Sequence, residues 1–158
     1  MKYIIYLFTL SCITHFASAQ QKFPIPISYL NDWDSLFTPA ENEHINYLLD
    51  SFDRATTNQI AIATMNTILP YSSIKEYGYE LGKEWKVGRQ DKDNGLIITI
   101  CVPCRSMAIN TGLGTEKTIT DDIAQLLIQS YIPYLKAGQY YIGMIQLLYS
   151  IFELWKEE

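Results

Sequence analysis

The sequence predicts an α/β protein, a three-layer sandwich in which helices flank a small mixed β-sheet. Apolar runs of strand length at 59–65 and 96–102 alternate with longer segments in which apolar residues recur at helical spacing. A further short strand at 107–110 follows the second run after a tight turn, which indicates a β-hairpin. Because a helix separates the first two strands, we expect them to form a right-handed parallel crossover pair.

The first two helices have clear start signals. Thr38-Pro39-Ala40-Glu41 is a capping box with proline at the first helical position, and the helix that follows extends to about Thr56. Ser73-Ile74-Lys75-Glu76 is a second capping box, and its helix ends near Gly88. These two helices lie on either side of the first predicted strand.

Two more helices complete the chain. Thr120 or Asp121 caps the third, which Pro133 and Gly138 end, and the last begins at about Tyr140. No internal repeat or low-complexity linker interrupts this order. The sequence therefore predicts one domain over residues 20–158.

The first 19 residues have the pattern of a secretory signal peptide. Lys2 is followed by an apolar run from 3 to 13 and by Ala17-Ser18-Ala19, an A-x-A cleavage signal. We therefore expect cleavage after residue 19 and export of the mature chain, which makes it periplasmic or secreted. Lipid anchoring at Cys12 is less favoured, because Thr9 stands where lipoprotein signals carry a bulky aliphatic residue.

The charge of the mature chain excludes some partners. Without the signal peptide, 11 basic residues face 17 acidic ones, for a net charge of −6. Nucleic acid needs clustered Lys and Arg, so it is not an expected partner, and neither is an anionic membrane surface. No segment after the signal peptide is apolar for long enough to span a bilayer. Metal cations and basic protein partners stay open.

Two acidic loops flank the predicted hairpin. Asp93 lies just before the strand at 96–102, and Glu116 follows Gly112-Leu113-Gly114 after the next strand. The start of one hairpin strand and the end of the other lie at the same sheet edge, so these carboxylates are expected to lie close together. This arrangement suggests a site for a hard cation. A turn that feeds a strand and a solvated loop charge remain the alternatives.

The glycines of the second acidic loop and the cysteines of the hairpin turn suggest nucleotide binding, a disulfide or zinc binding as other possibilities. The segment Gly112-Leu113-Gly114 lacks the third glycine, the lysine and the immediate helix of nucleotide-binding motifs, so it does not match them. Cys101-Val102-Pro103-Cys104 is expected to be a disulfide across the hairpin turn or a pair of inert thiols, with redox catalysis as the alternative. Zinc lacks ligands, since His44 is the only histidine after the signal peptide.

An ordered set of short motifs resembles the TPM domain family, over about residues 24–154. The motifs that carry the resemblance are Asn31-Asp32, Leu36-Phe37-Thr38-Pro39, Gln59-Ile60-Ala61-Ile62, Ser73-Ile74, Trp85-Lys86-Val87-Gly88, Asp93-Asn94-Gly95, Arg105, Gly112-Leu113-Gly114-Thr115-Glu116, Asp121 and Gly138-Gln139-Tyr140-Tyr141-Ile142-Gly143. The resemblance implies a Rossmann-like α/β sandwich in an exported or lumenal compartment. Some relatives are described as calcium-binding, and a plant thylakoid relative is described as an acid phosphatase.

The resemblance also implies a ligand set for calcium. Carried over residue by residue, the metal ligands are Asp32, Asp93, Glu116 and Asp121, with Asn94 or Asp122 as supplementary oxygen donors. The alternative for Asp121 is a helix cap or a first-turn charge.

Two function classes follow. The favoured one is a binding or accessory module, in which an acidic cleft holds calcium and the domain helps to maintain or assemble an envelope protein partner. The other is a phosphomonoester hydrolase assisted by a divalent metal ion. The sequence offers no evident nucleophile–base pair for the hydrolase, because neither Ser106 nor Thr111 has a histidine near it. No catalytic residue is therefore assigned.

Overall fold

The structure, a computed structural model, describes residues 23–156. The expected signal peptide and Cys12 lie outside these residues. In chain order the elements are β1 (Leu30–Asp32), α1 (Pro39–Thr56), β2 (Gln59–Thr64), α2 (Ile74–Trp85), β3 (Gly95–Cys101), β4 (Ser106–Thr111), a short 3₁₀ turn (Thr115–Lys117), α3 (Asp121–Ala137) and α4 (Tyr140–Lys156).

The four strands form one mixed sheet in the order β1-β2-β3-β4. Strands β1, β2 and β3 are parallel, and β4 pairs antiparallel with β3. The register aligns Gln59 with Gly95 at one end of the sheet and Thr64 with Ile100 toward the other. The α/β class, the mixed sheet and the parallel crossover between β2 and β3 are therefore confirmed.

Both faces of the sheet are covered by helices. Strand β3 is buried along its whole length, because its successive side chains enter two different cores. Ile98 and Ile100 belong to the larger core, which α1, α3 and α4 complete, whereas Ile97 and Cys101 belong to the smaller core under α2. Between residues 23 and 156, no helix is long and apolar enough to cross a membrane.

The predicted helix starts are present, with one difference. At α1 the capping box is complete: Thr38 accepts from the Glu41 amide, and the Glu41 carboxylate accepts from the Thr38 amide at 2.8 Å. At α2 the Ser73 side chain accepts from the Glu76 amide at 3.1 Å. The Glu76 carboxylate accepts instead from the Ser72 hydroxyl at 2.7 Å, so this helix has only half of the expected box.

Two elements differ from the sequence-based expectation. Strand β1 was missed, because it is only three residues long and two of them, Asn31 and Asp32, are polar. Helix α3 does not end at Pro133 but continues to Ala137, and Gly138 then adopts the left-handed conformation with φ of 69°. Pro133 has no amide hydrogen to donate to the carbonyl one turn earlier in the helix. Because Pro133 is exposed, water can donate a hydrogen bond to that carbonyl, and the helix continues.

A disulfide joins Cys101 and Cys104 across the turn between β3 and β4. A disulfide was one of the two outcomes that the sequence favoured, the other being a pair of inert thiols. The bond closes a loop of only four residues, so loop-closure entropy contributes only about 2 kcal/mol to stability. Arg105, the next residue, has φ of 51° and is exposed.

Candidate functional site

The sheet has two ends that carry different candidate residues. We call the end where β2 and β3 begin and β4 stops the amino edge, and the opposite end the carboxyl edge. Asp93 and Asn94 precede β3 and Glu116 follows β4, so all three lie at the amino edge. Asp32 is aligned with Thr64 at the carboxyl edge. Five strand residues, about 17 Å, separate the two levels.

At the amino edge, the loop before β3 and the loop after β4 are in backbone contact. The Gly114 amide donates to the Asp93 carbonyl at 3.0 Å. A Cβ atom on Gly114 would lie 2.0 Å from the Lys92 carbonyl oxygen, and one on Gly112 would lie 2.2 Å from that of Asp93. These contacts explain the two glycines, because only a residue without a side chain permits so close an approach.

This contact brings the segments of two predicted ligands together. Asp93 has φ of 50° and is exposed, and Glu116 is exposed in the 3₁₀ turn, where its amide donates to the Gly112 carbonyl at 2.9 Å. Within residues 23–156, neither carboxylate takes part in a hydrogen bond or an ion pair. Both therefore remain open to a ligand from solvent.

Asn94 has a different role from that expected. It is only 7% exposed, and its side-chain oxygen accepts from the Arg89 amide at 2.9 Å. Its side-chain nitrogen donates to the Thr57 carbonyl at 2.8 Å and to the Asn58 side chain at 2.9 Å. These bonds fix the loop that carries Asp93 against the end of α1, and they leave Asn94 poorly placed to bind a cation.

An ion pair between a buried aspartate and a half-exposed arginine holds the same loop from the other side, and no pattern in the sequence indicates it. Asp53, in α1, is 3% exposed and is paired with the Arg89 guanidinium. Its carboxylate also accepts from the Tyr29 hydroxyl at 2.9 Å and from Gln59 at 3.5 Å. Burial, together with the hydrogen bond to Asp53, raises the pKa of Tyr29 to about 12.

Asp32 organises the loop after β1. One carboxylate oxygen accepts from the Leu36 amide at 3.0 Å and the Thr64 hydroxyl at 2.5 Å, and the other accepts from the Phe37 amide at 2.9 Å. The carboxylate is thus used by the protein itself. The Thr64 hydroxyl also accepts from the Asp34 amide at 3.0 Å, which extends the same network.

Asp121 and Asp122 lie in the first turn of α3, where negative charge favours the helix. The cap itself is Thr120, whose side chain accepts from the Ile123 amide at 3.3 Å. Asp121 forms an exposed ion pair with Lys75 at 2.9 Å. The alternative given for Asp121, a charge in the first turn of a helix, describes its position, and Asp122 lies in the same turn.

The six predicted ligands therefore do not form a single site. Between residues 23 and 156, no three His, Cys, Asp or Glu side chains form a group that could hold a metal ion. Because β1 is parallel to β2, Asp32 lies at the end of the sheet opposite Asp93, and the ligand set implied by the resemblance stays a prediction. Of the six residues, Asp93 and Glu116 are the two unbonded carboxylates on contacting loops.

A groove runs beside this pair of loops. It is lined by Thr56, Thr57, Asn58, Asp91, Lys92, Asn94, Gly114, Lys117 and Trp155. The Lys92 ammonium donates to the Thr57 hydroxyl at 2.8 Å, which turns this charge toward the end of α1. The two lysines of the groove reduce the negative potential that Asp93 and Glu116 create.

The described residues offer little for nucleophilic catalysis with a histidine base. His44, the only histidine within 23–156, lies on α1, and its Nδ1 atom is 2.6 Å from the Tyr141 hydroxyl on α4. Both residues belong to the helical layer rather than to either sheet edge. Neither Ser106 nor Thr111 is paired with it.

A family model described as TPM domain matches residues 30–154. No curated protein matched.

Similar solved structures include two N-terminal domains and one further protein. The N-terminal domain of a protein from P. gingivalis is 21% identical, with a TM-score of 0.72 and coverage of 80% of each chain. The N-terminal domain of the cg2496 protein from Corynebacterium glutamicum is 12% identical, with a TM-score of 0.63 and coverage of 84% of each chain. The BA42 protein from Bizionia argentinensis is 15% identical, with a TM-score of 0.64; the match covers 75% of this chain and 80% of that one. At these identities the likeness concerns the fold.

Proposed function

This chain belongs to the TPM domain family, and from that premise we propose that it is an exported accessory module that binds calcium at the amino edge. The cation is held where the loop 89–94 meets the loop 112–117, with the Asp93 and Glu116 carboxylates as its charged ligands. The bound domain then serves in the maintenance or assembly of an envelope protein. The observation that carries the proposal is the backbone contact between Gly114 and Asp93.

That contact supports a cation site because it holds together the backbones of the two loops that carry the free carboxylates. Loop 89–94 is held by the ion pair of Arg89 with the buried Asp53 and by three hydrogen bonds of Asn94. Loop 112–117 is fastened to it through the Gly114 amide. A site whose loops are ordered before the ligand arrives binds without a further ordering cost.

The chemistry of the two loops suits a hard cation with tolerant geometry. Calcium takes six to eight oxygen ligands, and backbone carbonyls and water complete a shell that two carboxylates begin. With only two charged ligands, and with Lys92 and Lys117 nearby, we expect a dissociation constant on the order of 10⁻⁴ to 10⁻³ M, the range of extracellular calcium modules. Calcium here supplies charge neutralisation between the loops.

The experiment is a calorimetric titration of residues 20–158 with calcium and, separately, with magnesium. Asp93→Asn keeps the size of the side chain, and asparagine tolerates the positive φ at this position. We expect this variant and Glu116→Gln each to weaken calcium binding roughly tenfold or more. The matched control is Asp122→Asn, an exposed aspartate in the first turn of α3, which should bind calcium like the unmodified chain.

Two outcomes would refute the proposal. One is the absence of both binding heat and calcium-dependent thermal stabilisation in the unmodified chain. The other is unchanged binding in Asp93→Asn and Glu116→Gln. The same samples are assayed with a generic phosphate ester; turnover that depends on calcium or magnesium and is lost in Asp93→Asn would favour the hydrolase over the accessory module.

A further inference from the structure

The Cys101–Cys104 disulfide lies at the carboxyl edge, away from the proposed calcium site. We propose that it is a thiol–disulfide exchange centre that takes electrons from an external dithiol. The substrate is a small or extended dithiol compound, because the sulfur it must reach lies at the tip of an exposed turn and not in a cleft.

The two sulfurs differ in their access to solvent, and this difference fixes the direction of attack. Cys104 is exposed, whereas Cys101 is 0% exposed and packs in the core under α2. An external thiolate therefore reaches the Cys104 sulfur, and Cys101 is the sulfur that leaves. Exchange requires that one sulfur be accessible and that the other be held for the return reaction.

The leaving sulfur has hydrogen-bond donors in place. The Cys104 amide donates to the Cys101 sulfur at 3.3 Å. Ser106 is aligned with Cys101 on the neighbouring strand, so both side chains lie on the same face of the sheet. The Ser106 hydroxyl is enclosed and has no hydrogen-bond partner among residues 23–156. Once the S–S bond opens, the freed Cys101 side chain can turn toward this hydroxyl.

The residue that follows the attacked cysteine is cationic. Arg105 follows Cys104 directly and is exposed. A nearby guanidinium favours the approach of a thiolate and the retention of a thiolate at Cys104. Such an electropositive, exposed setting is typical of reactive cysteines rather than of structural ones.

The fold does not depend on this bond. Six aligned residue pairs, from Leu96–Thr111 to Cys101–Ser106, already fix β3 against β4. The disulfide closes only a short loop at the end of that ladder. Opening and closing the bond therefore leaves the sheet and both cores in place.

The exchange balances as follows. A substrate thiolate attacks the Cys104 sulfur, the S–S bond breaks, and its electron pair goes to the Cys101 sulfur. The second thiol of the substrate loses its proton and attacks the substrate sulfur that is bonded to Cys104. The bond between that sulfur and Cys104 breaks, and Cys104 leaves as a thiolate. Two electrons and two protons pass from the substrate dithiol to the cysteine pair, and the substrate becomes a disulfide.

The first experiment compares reduction of residues 20–158 by dithiothreitol in native buffer and in concentrated guanidinium chloride. Maleimide trapping and mass spectrometry follow the thiols, and circular dichroism follows the fold. We expect native reduction to be at least as fast as reduction of the unfolded chain, with an unchanged native spectrum. Native reduction ten times slower or more, or loss of the fold on reduction, would overturn the proposal.

Single-cysteine variants test the direction of attack. With oxidised glutathione as probe, native Cys101→Ala should form a mixed disulfide at Cys104, whereas native Cys104→Ala should react at least tenfold more slowly at Cys101, because that sulfur is buried. Both variants should react alike in guanidinium chloride. Equal native rates would contradict the assignment of Cys104 as the attacked sulfur.

Two further variants test the neighbouring groups. Arg105→Asn, which tolerates the positive φ, should slow reduction by the glutathione thiolate roughly threefold, and Arg105→Lys should restore the rate. Ser106→Ala should lower the equilibrium constant for reduction by dithiothreitol roughly fivefold, which is the factor expected when one hydrogen bond to the reduced Cys101 is lost. An unchanged equilibrium constant in Ser106→Ala would remove this serine from the centre.

Discussion

One added methyl group at Gly114 tests the contact between the two loops of the amino edge. In Gly114→Ala the new Cβ atom would lie 2.0 Å from the Lys92 carbonyl oxygen and 3.1 Å from that of Asp93. The first distance is far below van der Waals contact, and both atoms belong to the backbone, so the loops must separate. The backbone of Gly114, with φ of −68° and ψ of −42°, is itself acceptable for alanine, so the effect is steric.

The expected loss of stability has two parts. Forcing an extra carbon into a packed contact costs about 1–3 kcal/mol. Separation of the loops also breaks the hydrogen bond from the Gly114 amide to the Asp93 carbonyl, worth about 1 kcal/mol. The sum is about 2–4 kcal/mol. For a domain of this size, 1 kcal/mol shifts Tm by about 3 °C, so Tm should fall by roughly 6–12 °C.

The assay is urea unfolding, supported by thermal unfolding, of three variants in parallel. Leu113→Ala removes a side chain that is 71% exposed, and it should stay within about 0.5 kcal/mol of the unmodified chain. Gly138→Ala has free space around its Cβ but a φ of 69°, so it should cost only about 1 kcal/mol. If Gly114→Ala loses no more stability than Leu113→Ala, the reasoning from loop contact is refuted.

Two other substitutions test contacts made by helix α1. The pKa of Tyr29 is raised to about 12 in the folded protein, whereas tyrosines of the unfolded chain titrate near 10. As pH rises, Tyr29 therefore loses its proton first in the unfolded chain. Its contribution to the free energy of unfolding is complete below pH 10 and is lost as pH rises toward 12. Urea unfolding between pH 9 and 12 should show a shallower loss of stability in Tyr29→Phe than in the unmodified chain; parallel curves would contradict the linkage. Thr38→Ala removes half of the capping box and should cost about 1 kcal/mol in urea unfolding at neutral pH. Thr38→Ser, which keeps the hydroxyl, is its control, and equal losses in the two variants would contradict the capping role.

Most of the fold could be predicted from the sequence, because its signals are local. The apolar run of β3, the capping box at Thr38 and the terminal Gly138 each act within a few residues of themselves. Strand β1 carries no such signal. It exists because Leu30, Asn31 and Asp32 pair with β2, 32 residues further along the chain, and its polar residues make no apolar pattern.

The candidate site could be predicted only in part, for the same reason. The sequence predicts the β3–β4 hairpin, and the geometry of a hairpin brings loops 89–94 and 112–117 to the same edge of the sheet. The position of Asp32 depends on the direction of β1, a strand that no pattern in the sequence predicts. The pairing of Asp53 with Arg89 joins residues 36 positions apart, and no spacing rule connects them.

The order of the strands in the sheet has a consequence for how this chain folds. Because the order is also the chain order, each strand can add to a partner that has already been delivered, and no strand must be inserted between two others. The larger core, however, includes Leu148, Ile151 and Trp155 of α4. The sheet can therefore assemble progressively, but its larger face is closed only when the last helix arrives, and until then that face is open to aggregation.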